Sequence, residues 1–314
     1  MTQSATAVVF ESPGNLSLRE VSLPDCDPSD CLVEIEYSGV STGTERLLWN
    51  GNMPPFPGLR YPLVPGYESV GRVLLAGPRA GIQPGTRVFV PGSRGFEDVQ
   101  GLFGGAAKRL VVNAERLISL DDGVAEEGVL LALVATAVHA IKRFGDERLP
   151  QLIIGHGVLG RLIARIAIHM GATDLTVWEQ NPSRRETTLG YPVIHPDQDT
   201  DKYQRVCDVS GDATILDKIF PHLLTGGTAV LAGFYQDNVQ FAFPPAFMSE
   251  ANVCIAAEWQ PEDLAVATTL LLERAIDLED LITHRFLAHD AAPAYQTAFT
   301  DPSCLKLILD WRTL

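Results

Sequence analysis

The six residues Gly155-His156-Gly157-Val158-Leu159-Gly160 restrict the fold of this chain more than any other segment. They follow a short apolar run, Leu152-Ile153-Ile154. They open a stretch, Val158 to Met170, whose apolar residues recur at 158, 162, 163, 166 and 170, the spacing of a helical stripe. Each glycine has separate work in such a strand-to-helix turn. Gly155 permits the tight turn, Gly157 lets backbone approach a pyrophosphate, and Gly160 lets helix and strand pack closely. The helix start, at Val158 and Leu159, presents unpaired amides and a partial positive charge to phosphate. The segment predicts the first strand, turn and helix of a dinucleotide fold.

The following strand ends at Val177-Trp178-Glu179, and Glu179 lies 19 residues after Gly160. A carboxylate there accepts a hydrogen bond from a ribose 2′-OH and repels a 2′-phosphate, so NAD is expected rather than NADP. Arg184 and Arg185 are the opposing signal, because an arginine suits a 2′-phosphate. His156, inside the loop, reads as a filler and not a catalyst. Further strands are expected at Val206 to Val209 and Thr228 to Leu231, with a helix at Ala213 to Leu224 between them. Ser210-Gly211 and Gly233-Phe234 follow these strands, at the carboxyl edge where cofactors bind. Strands alternating with helices predict a parallel sheet.

Upstream the pattern changes. Ala7 to Phe10, Cys31 to Tyr37, Val70 to Leu75, Arg87 to Val90 and Lys108 to Val112 are short runs rich in β-branched residues, separated by Gly and Pro. Such spacing predicts a small barrel or sandwich. Downstream, a helix is expected at Glu262 to Arg274, a strand near His284-Arg285-Phe286, a helix at Pro293 to Phe299 and a last strand at Leu305 to Leu309. The expected division is residues 1–122, 123–270 and 271–314, the last returning to the first domain.

Composition narrows the partners. The net charge of -15 opposes nucleic acid and anionic membranes, which select basic surfaces. The five cysteines, Cys26, Cys31, Cys207, Cys254 and Cys304, include no CxxC pair, which fits a reducing cytoplasm rather than a disulfide framework. Met1 to Val9 lacks the basic start of a secretory signal. The apolar stretch Val129 to Ala140 is too short to span a bilayer, so no integral membrane segment is expected.

Several patterns together resemble the medium-chain dehydrogenase/reductase family. Ser38-Gly39-Val40-Ser41-Thr42-Gly43-Thr44-Glu45 is similar to the segment carrying its first zinc ligand. Pro65-Gly66-Tyr67-Glu68 is similar to its Gly-His-Glu segment. Gln83-Pro84-Gly85-Thr86-Arg87-Val88 resembles its Pro-Gly-Asp-Arg-Val turn, and Thr136-Ala137-Val138-His139-Ala140 its nicotinamide-contacting helix. The resemblance implies an α/β chain, with a β-rich GroES-like barrel domain beside a Rossmann doubly wound parallel sheet. It also implies a Thr136 contact to cofactor. The departures concern zinc. Ser41 or Thr42 stands for cysteine, Tyr67 for histidine, and Ala132 for the third ligand. Zinc needs three Cys, His or carboxylate ligands here, so no metal is expected.

Alcohol oxidation without zinc requires a side chain to take the hydroxyl proton while NAD takes the hydride. The candidates are Tyr67, at a former ligand position, Thr44, matching the family's relay hydroxyl, and Glu68, as base or buried structural acid. His139 reads as a core histidine. A narrower resemblance, carried by Ser41-x-Gly43-Thr44-Glu45 and Pro245 to Glu250, is to the family branch that oxidises a 1-hydroxyethyl group on a tetrapyrrole of chlorophyll biosynthesis. The aromatic stretch Trp49 to Tyr61 either faces such a macrocycle or packs on itself, and Arg60 is a candidate for a propionate. The alternatives are a zinc-free quinone or enone reductase, or a non-catalytic nucleotide- or pigment-binding protein. The family's habit of pairing through the nucleotide domain makes a homo-oligomer contact near Phe241 an expectation.

Overall fold

The computed structural model describes residues 3–55, 57–146, 148–185 and 190–314. The chain divides into two compact units, Met1–Ala132 with Leu278–Leu314, and Leu133–Asp277.

The first unit is built of two sheets. One orders the strands Asn15–Leu23, Gln3–Ser12, Leu63–Val64 and Gln100–Gly101. The other runs Ile282–Leu287, Lys306–Asp310, Asp30–Val40, Ser69–Ala76, Arg87–Val90 and Ile118–Ser119, with Arg109–Asn113 also paired to Asp30–Val40. Asp30–Val40 is the hub. Its first half pairs with Arg109–Asn113, and its last residues pair with the C-terminal strand, Val40 opposite Leu307 and Tyr37 opposite Asp310. Two register shifts bend it against Ser69–Ala76, as bulges do in strongly curved sheets. The core beneath is aliphatic and aromatic, with Phe10, Ile35, Leu63, Leu110 and Trp311 all fully buried. Each such side chain contributes about 1.5–3 kcal/mol through burial.

Residues past the expected boundary at 122 stay with this unit for a packing reason. The 3-10 segment Glu126–Leu130 lies on the barrel, and a Cβ on Gly128 would come within 2.8 Å of Val70 Cγ2. Arg285 and Glu126 add an ion pair. The unit breaks fall at 132/133 and 277/278.

The second unit holds a parallel sheet in the order Val193–Ile194, Thr176–Trp178, Leu152–Ile154, Tyr203–Asp208, Leu223–Leu231, Asn252–Ile255. Counted along the chain this is 3-2-1-4-5-6. The order reverses between Leu152–Ile154 and Tyr203–Asp208, and a ligand crevice opens at such a point. The helix Val158–His169 buries Leu162, Ile163 and Ile166 of the expected stripe, together with Ala167, while Val158 is part-buried and Met170, past the helix end, is exposed.

Two expectations require correction. The helix Ala213 to Leu224 shrinks to Ile215–Ile219 with a 3-10 turn at Phe220–His222. Pro221 lacks the amide that would continue it, and Leu223 and Leu224 begin the next strand. The strand Asn15–Leu23 was not anticipated; it forms a hairpin with Gln3–Ser12, turned at Gly14 with φ 73°. The Trp49 to Tyr61 stretch, of which Phe56 lies outside the described residues, packs on its own unit. Trp49 meets Phe10 edge-on at 5.5 Å, and Met53, Leu59 and Tyr61 lie against the core. With the Gln100 amide oriented to accept, Arg60 donates to its oxygen at 2.7 and 3.1 Å.

Candidate active site

In the barrel unit, the hub strand Asp30–Val40 gives way to the helix Thr44–Asn50, with Gly43 at its N-cap. Ser41 sits in this turn and gathers three groups. Its Oγ accepts from the Tyr67 hydroxyl at 3.0 Å and from Thr44 N at 3.3 Å, while its own amide donates to Glu45 Oε1 at 3.1 Å. Thr44, Tyr67 and Ser41 therefore form one hydroxyl cluster. The Tyr67 ring is part-exposed and packs edge-on against Phe103 at 5.4 Å. Burial, and then Glu68, push the Tyr67 phenol well above its ordinary range, against the bonds from Ser41 and Thr44. A phenol so placed stays protonated near neutrality.

Behind this cluster lie two carboxylates that no solvent reaches. Glu68 Oε2 meets Lys306 Nζ at 2.6 Å, and both side chains are at most 1% exposed. Burial raises the Glu68 carboxyl and Lys306 opposes it; Glu68 Oε1 has no hydrogen-bond partner. Gly39 makes room for the pair, since a Cβ there would lie 2.6 Å from Glu68 Oε2. Glu45 was not foreseen as a site residue. Its Oε2 accepts from the Tyr295 hydroxyl at 2.8 Å, and burial pushes its carboxyl up to about 7. The only sequence signal for it was an acid two residues past the N-cap glycine, which ordinarily reads as a solvated first-turn charge.

These residues do not suit zinc. Tyr67 and Ser41 are bonded to each other, Ala132 offers a methyl group, and among the described residues no three His, Cys, Asp or Glu side chains gather to hold a metal.

In the second unit, the glycine turn has the form its sequence predicts. Gly155 adopts φ 100°. A Cβ on Gly160 would sit 1.9 Å from Gly155 O, so no other residue fits. At Gly157 the nearest neighbour to such an atom is Arg184 Nη1 at 3.9 Å, which leaves the backbone open to a phosphate. His156 is fully buried and fixes the loop from below. Its Nδ1 bonds to Arg184 O at 2.7 Å and its Nε2 to the Tyr191 hydroxyl at 3.0 Å. Burial lowers its pKa to about 4, so it is neutral and serves as a strut.

Glu179 follows the strand Thr176–Trp178. Its Oε2 accepts from His156 N at 3.0 Å and its Oε1 from Asn181 N at 2.8 Å. Each oxygen keeps a lone pair for a ribose hydroxyl. Arg185 donates to the Glu179 and Gln180 carbonyls and so is engaged with backbone. At the ends of the next strands, Ser210 N donates to Asp208 Oδ1 at 3.2 Å, and the Tyr235 hydroxyl donates to Asp208 Oδ2. Thr136 is half-buried on the helix Leu131–Lys142. On the same helix, His139 and Lys142 both hold Asp263, each at 2.7 Å, which pins it to Pro261–Leu272. His139 is thus a paired structural histidine. The glycine turn, the placed carboxylate and the crevice suit a dinucleotide.

Residues 27–122 match the alcohol dehydrogenase GroES-like domain. The chain is 51% identical to the 2-desacetyl-2-hydroxyethyl bacteriochlorophyllide A dehydrogenase of Rhodobacter capsulatus, over 97% of this chain and 98% of that protein. A zinc-binding dehydrogenase fold from Sinorhizobium meliloti, solved with NADP, superposes with TM-score 0.82 at 21% identity, covering 98% of this chain and 100% of that one. An alcohol dehydrogenase (rspB) of Escherichia coli, solved with NADH, gives 0.84 at 20% identity, covering 98% and 99%. These two likenesses show the fold.

Proposed function

Because this chain belongs to the medium-chain dehydrogenase family, in the branch of the 2-desacetyl-2-hydroxyethyl bacteriochlorophyllide A dehydrogenases, we propose that it oxidises the 3-(1-hydroxyethyl) group of a bacteriochlorophyllide a precursor to 3-acetyl, with NAD and without zinc. The observation that carries the reading is that Ser41 and Tyr67, at two of the three zinc-ligand positions, are bonded to each other beside Thr44, with Ala132 at the third, in a chain otherwise similar throughout to such an enzyme.

When bound, NAD supplies the hydride acceptor. Gly155, Gly157, Val158, Leu159 and Gly160 would hold its pyrophosphate, Glu179 its adenine ribose, and Thr136, Ser210 and Gly233 its other half. The Glu179 carboxylate would repel a 2′-phosphate, which supports NAD over NADP. The alcohol proton goes to Tyr67. Since that phenol is held protonated, it acts as a relay and not as a standing base. It takes the substrate proton as it hands its own to Ser41 Oγ, 3.0 Å away, and Ser41 releases its original hydroxyl proton to solvent on the side where Thr44 is half-buried. Glu68 is spent on Lys306, and its part is to fix the electrostatics beneath Tyr67.

The reaction is assigned to the cytoplasm, which the five free cysteines support. Among the described residues no helix is long and apolar enough to cross a membrane. A homo-oligomer contact near Phe241 is supported by the edge strand Asn252–Ile255 and by Phe243, Phe247 and Met248, which are exposed beside it.

The test is an absorbance assay of chelator-treated protein with NAD and 3-hydroxyethyl bacteriochlorophyllide a. A red-shifted pigment with stoichiometric NADH supports the reading. No turnover, with or without chelation, discards the pigment substrate in favour of an enone reductase or a carrier. Activity lost to chelation and restored by zinc overturns the metal-free mechanism.

A further inference from the structure

At the carboxyl edge of the nucleotide sheet, one side chain ties together the turns that follow Tyr203–Asp208 and Leu223–Leu231. Asp208 is fully buried. Its Oδ1 accepts from Ser210 N at 3.2 Å, its Oδ2 from the Tyr235 hydroxyl, and its carbonyl oxygen from Ala232 N at 2.8 Å and Gly233 N at 3.2 Å. The turns nearly touch. A Cβ on Gly233 would lie 3.1 Å from Gly211 N and 3.4 Å from the Tyr235 hydroxyl. Tyr235 itself packs against the core of its unit.

The arrangement differs from that of the buried Glu68, which has a lysine. Asp208 is held by a phenol, a hydroxyl and an amide; burial pushes it up to about 6, and its charged neighbour Asp212 adds to that. A carboxylate kept at such a desolvation cost implies a positional task. The sheet order says which. The glycine turn and Glu179 belong to the half of the sheet that takes adenosine, so the second nucleoside of a dinucleotide lies over the ends of Tyr203–Asp208 and Leu223–Leu231.

We propose that Asp208 and Tyr235 are positioning residues for the nicotinamide half of the cofactor: their bond fixes the Gly233-Phe234 turn in register with Ser210-Gly211. The inference rests on the dinucleotide reading above and names the residues that set one half of that site. Neither residue lies in the half of the sheet that carries Glu179, so the two halves of the cofactor should respond differently to the loss of this bond.

The experiment compares NADH with AMP, which carries the adenosine half alone. Dissociation constants are measured on the full chain for the wild type, Tyr235→Phe and Asp208→Asn, with NADH followed by its fluorescence and AMP by calorimetry. Tyr235→Phe removes one hydroxyl bonded to a carboxylate and should weaken NADH about tenfold, with AMP unchanged. Asp208→Asn should do the same, and serves if the tyrosine variant does not fold. Equal weakening of NADH and AMP would reduce the pair to a general structural role and overturn the proposal, as would unchanged NADH binding. A wild type that binds neither ligand would instead defeat the dinucleotide reading itself.

Discussion

Glu68 and Lys306 stand 238 residues apart in sequence and meet at 2.6 Å with almost no surface exposed. Such a pair adds little net stability, because desolvation offsets attraction; losing one partner is what costs. Lys306→Met is therefore expected to destabilise the fold by about 3–5 kcal/mol, leaving Glu68 buried without its partner. The double variant Glu68→Gln with Lys306→Met should recover most of that loss. Urea unfolding of the two variants checks this, and a double variant no more stable than the single would refute it.

Glu45 makes a prediction about pH. Its folded pKa of about 7 lies above the ordinary 4.5, so the folded chain holds the proton more tightly than the unfolded chain. Its contribution to stability is complete below pH 4.5 and is lost as pH rises through 7. The total is on the order of 3 kcal/mol. Glu45→Gln keeps an acceptor for Ser41 N without a titrating group. Unfolding free energies from pH 5 to 8 should fall with pH in the wild type and be flatter by that amount in the variant. Parallel curves would mean that Glu45 does not titrate there.

Tyr67→Phe tests the relay. Turnover should fall on the order of a hundredfold or more, the scale of one acid–base group, while NADH binding persists. Ser41→Ala should lower turnover by less, since water can take its place. Near-normal turnover in the phenylalanine variant would remove Tyr67 from the mechanism.

For cofactor choice, Glu179→Ala should shift the ratio of kcat/KM for NAD over NADP toward NADP by about tenfold or more, because the repulsion of a 2′-phosphate disappears. An unchanged ratio would remove Glu179 from cofactor choice.

The parts of the molecule readable in advance are those whose cause is local. The glycine turn and the buried face of Val158–His169 each arise from neighbours within a few residues. Asn15–Leu23 was missed although Leu16, Leu18, Val21 and Leu23 include an alternating pattern, because its polar residues dilute the apolar run that marked the other strands. The helix expected at Ala213 to Leu224 runs past Pro221, where the chain turns before a strand that begins at Leu223. The hydroxyl cluster was half legible: Tyr67 and Thr44 stood at family positions, but Glu45, Lys306 and Tyr295 acquire their roles only by contact. A lysine inside an apolar last strand and a tyrosine on a late helix give no sign of carboxylates some 250 residues earlier.

The pairing of Lys306–Asp310 with Asp30–Val40 carries a consequence for biosynthesis. The nucleotide unit is one continuous segment, Leu133–Asp277, inserted within a barrel whose halves flank it. On the ribosome that segment is complete while the barrel still lacks Tyr295 and Lys306. The amino-terminal strands must wait, with Glu45 and Glu68 unpartnered, until the tail emerges to close over them. Glu45 and Glu68 are thereby partnered only after the nucleotide unit has been made, and a chain cut short after that unit would keep the glycine turn and leave both carboxylates without Tyr295 and Lys306.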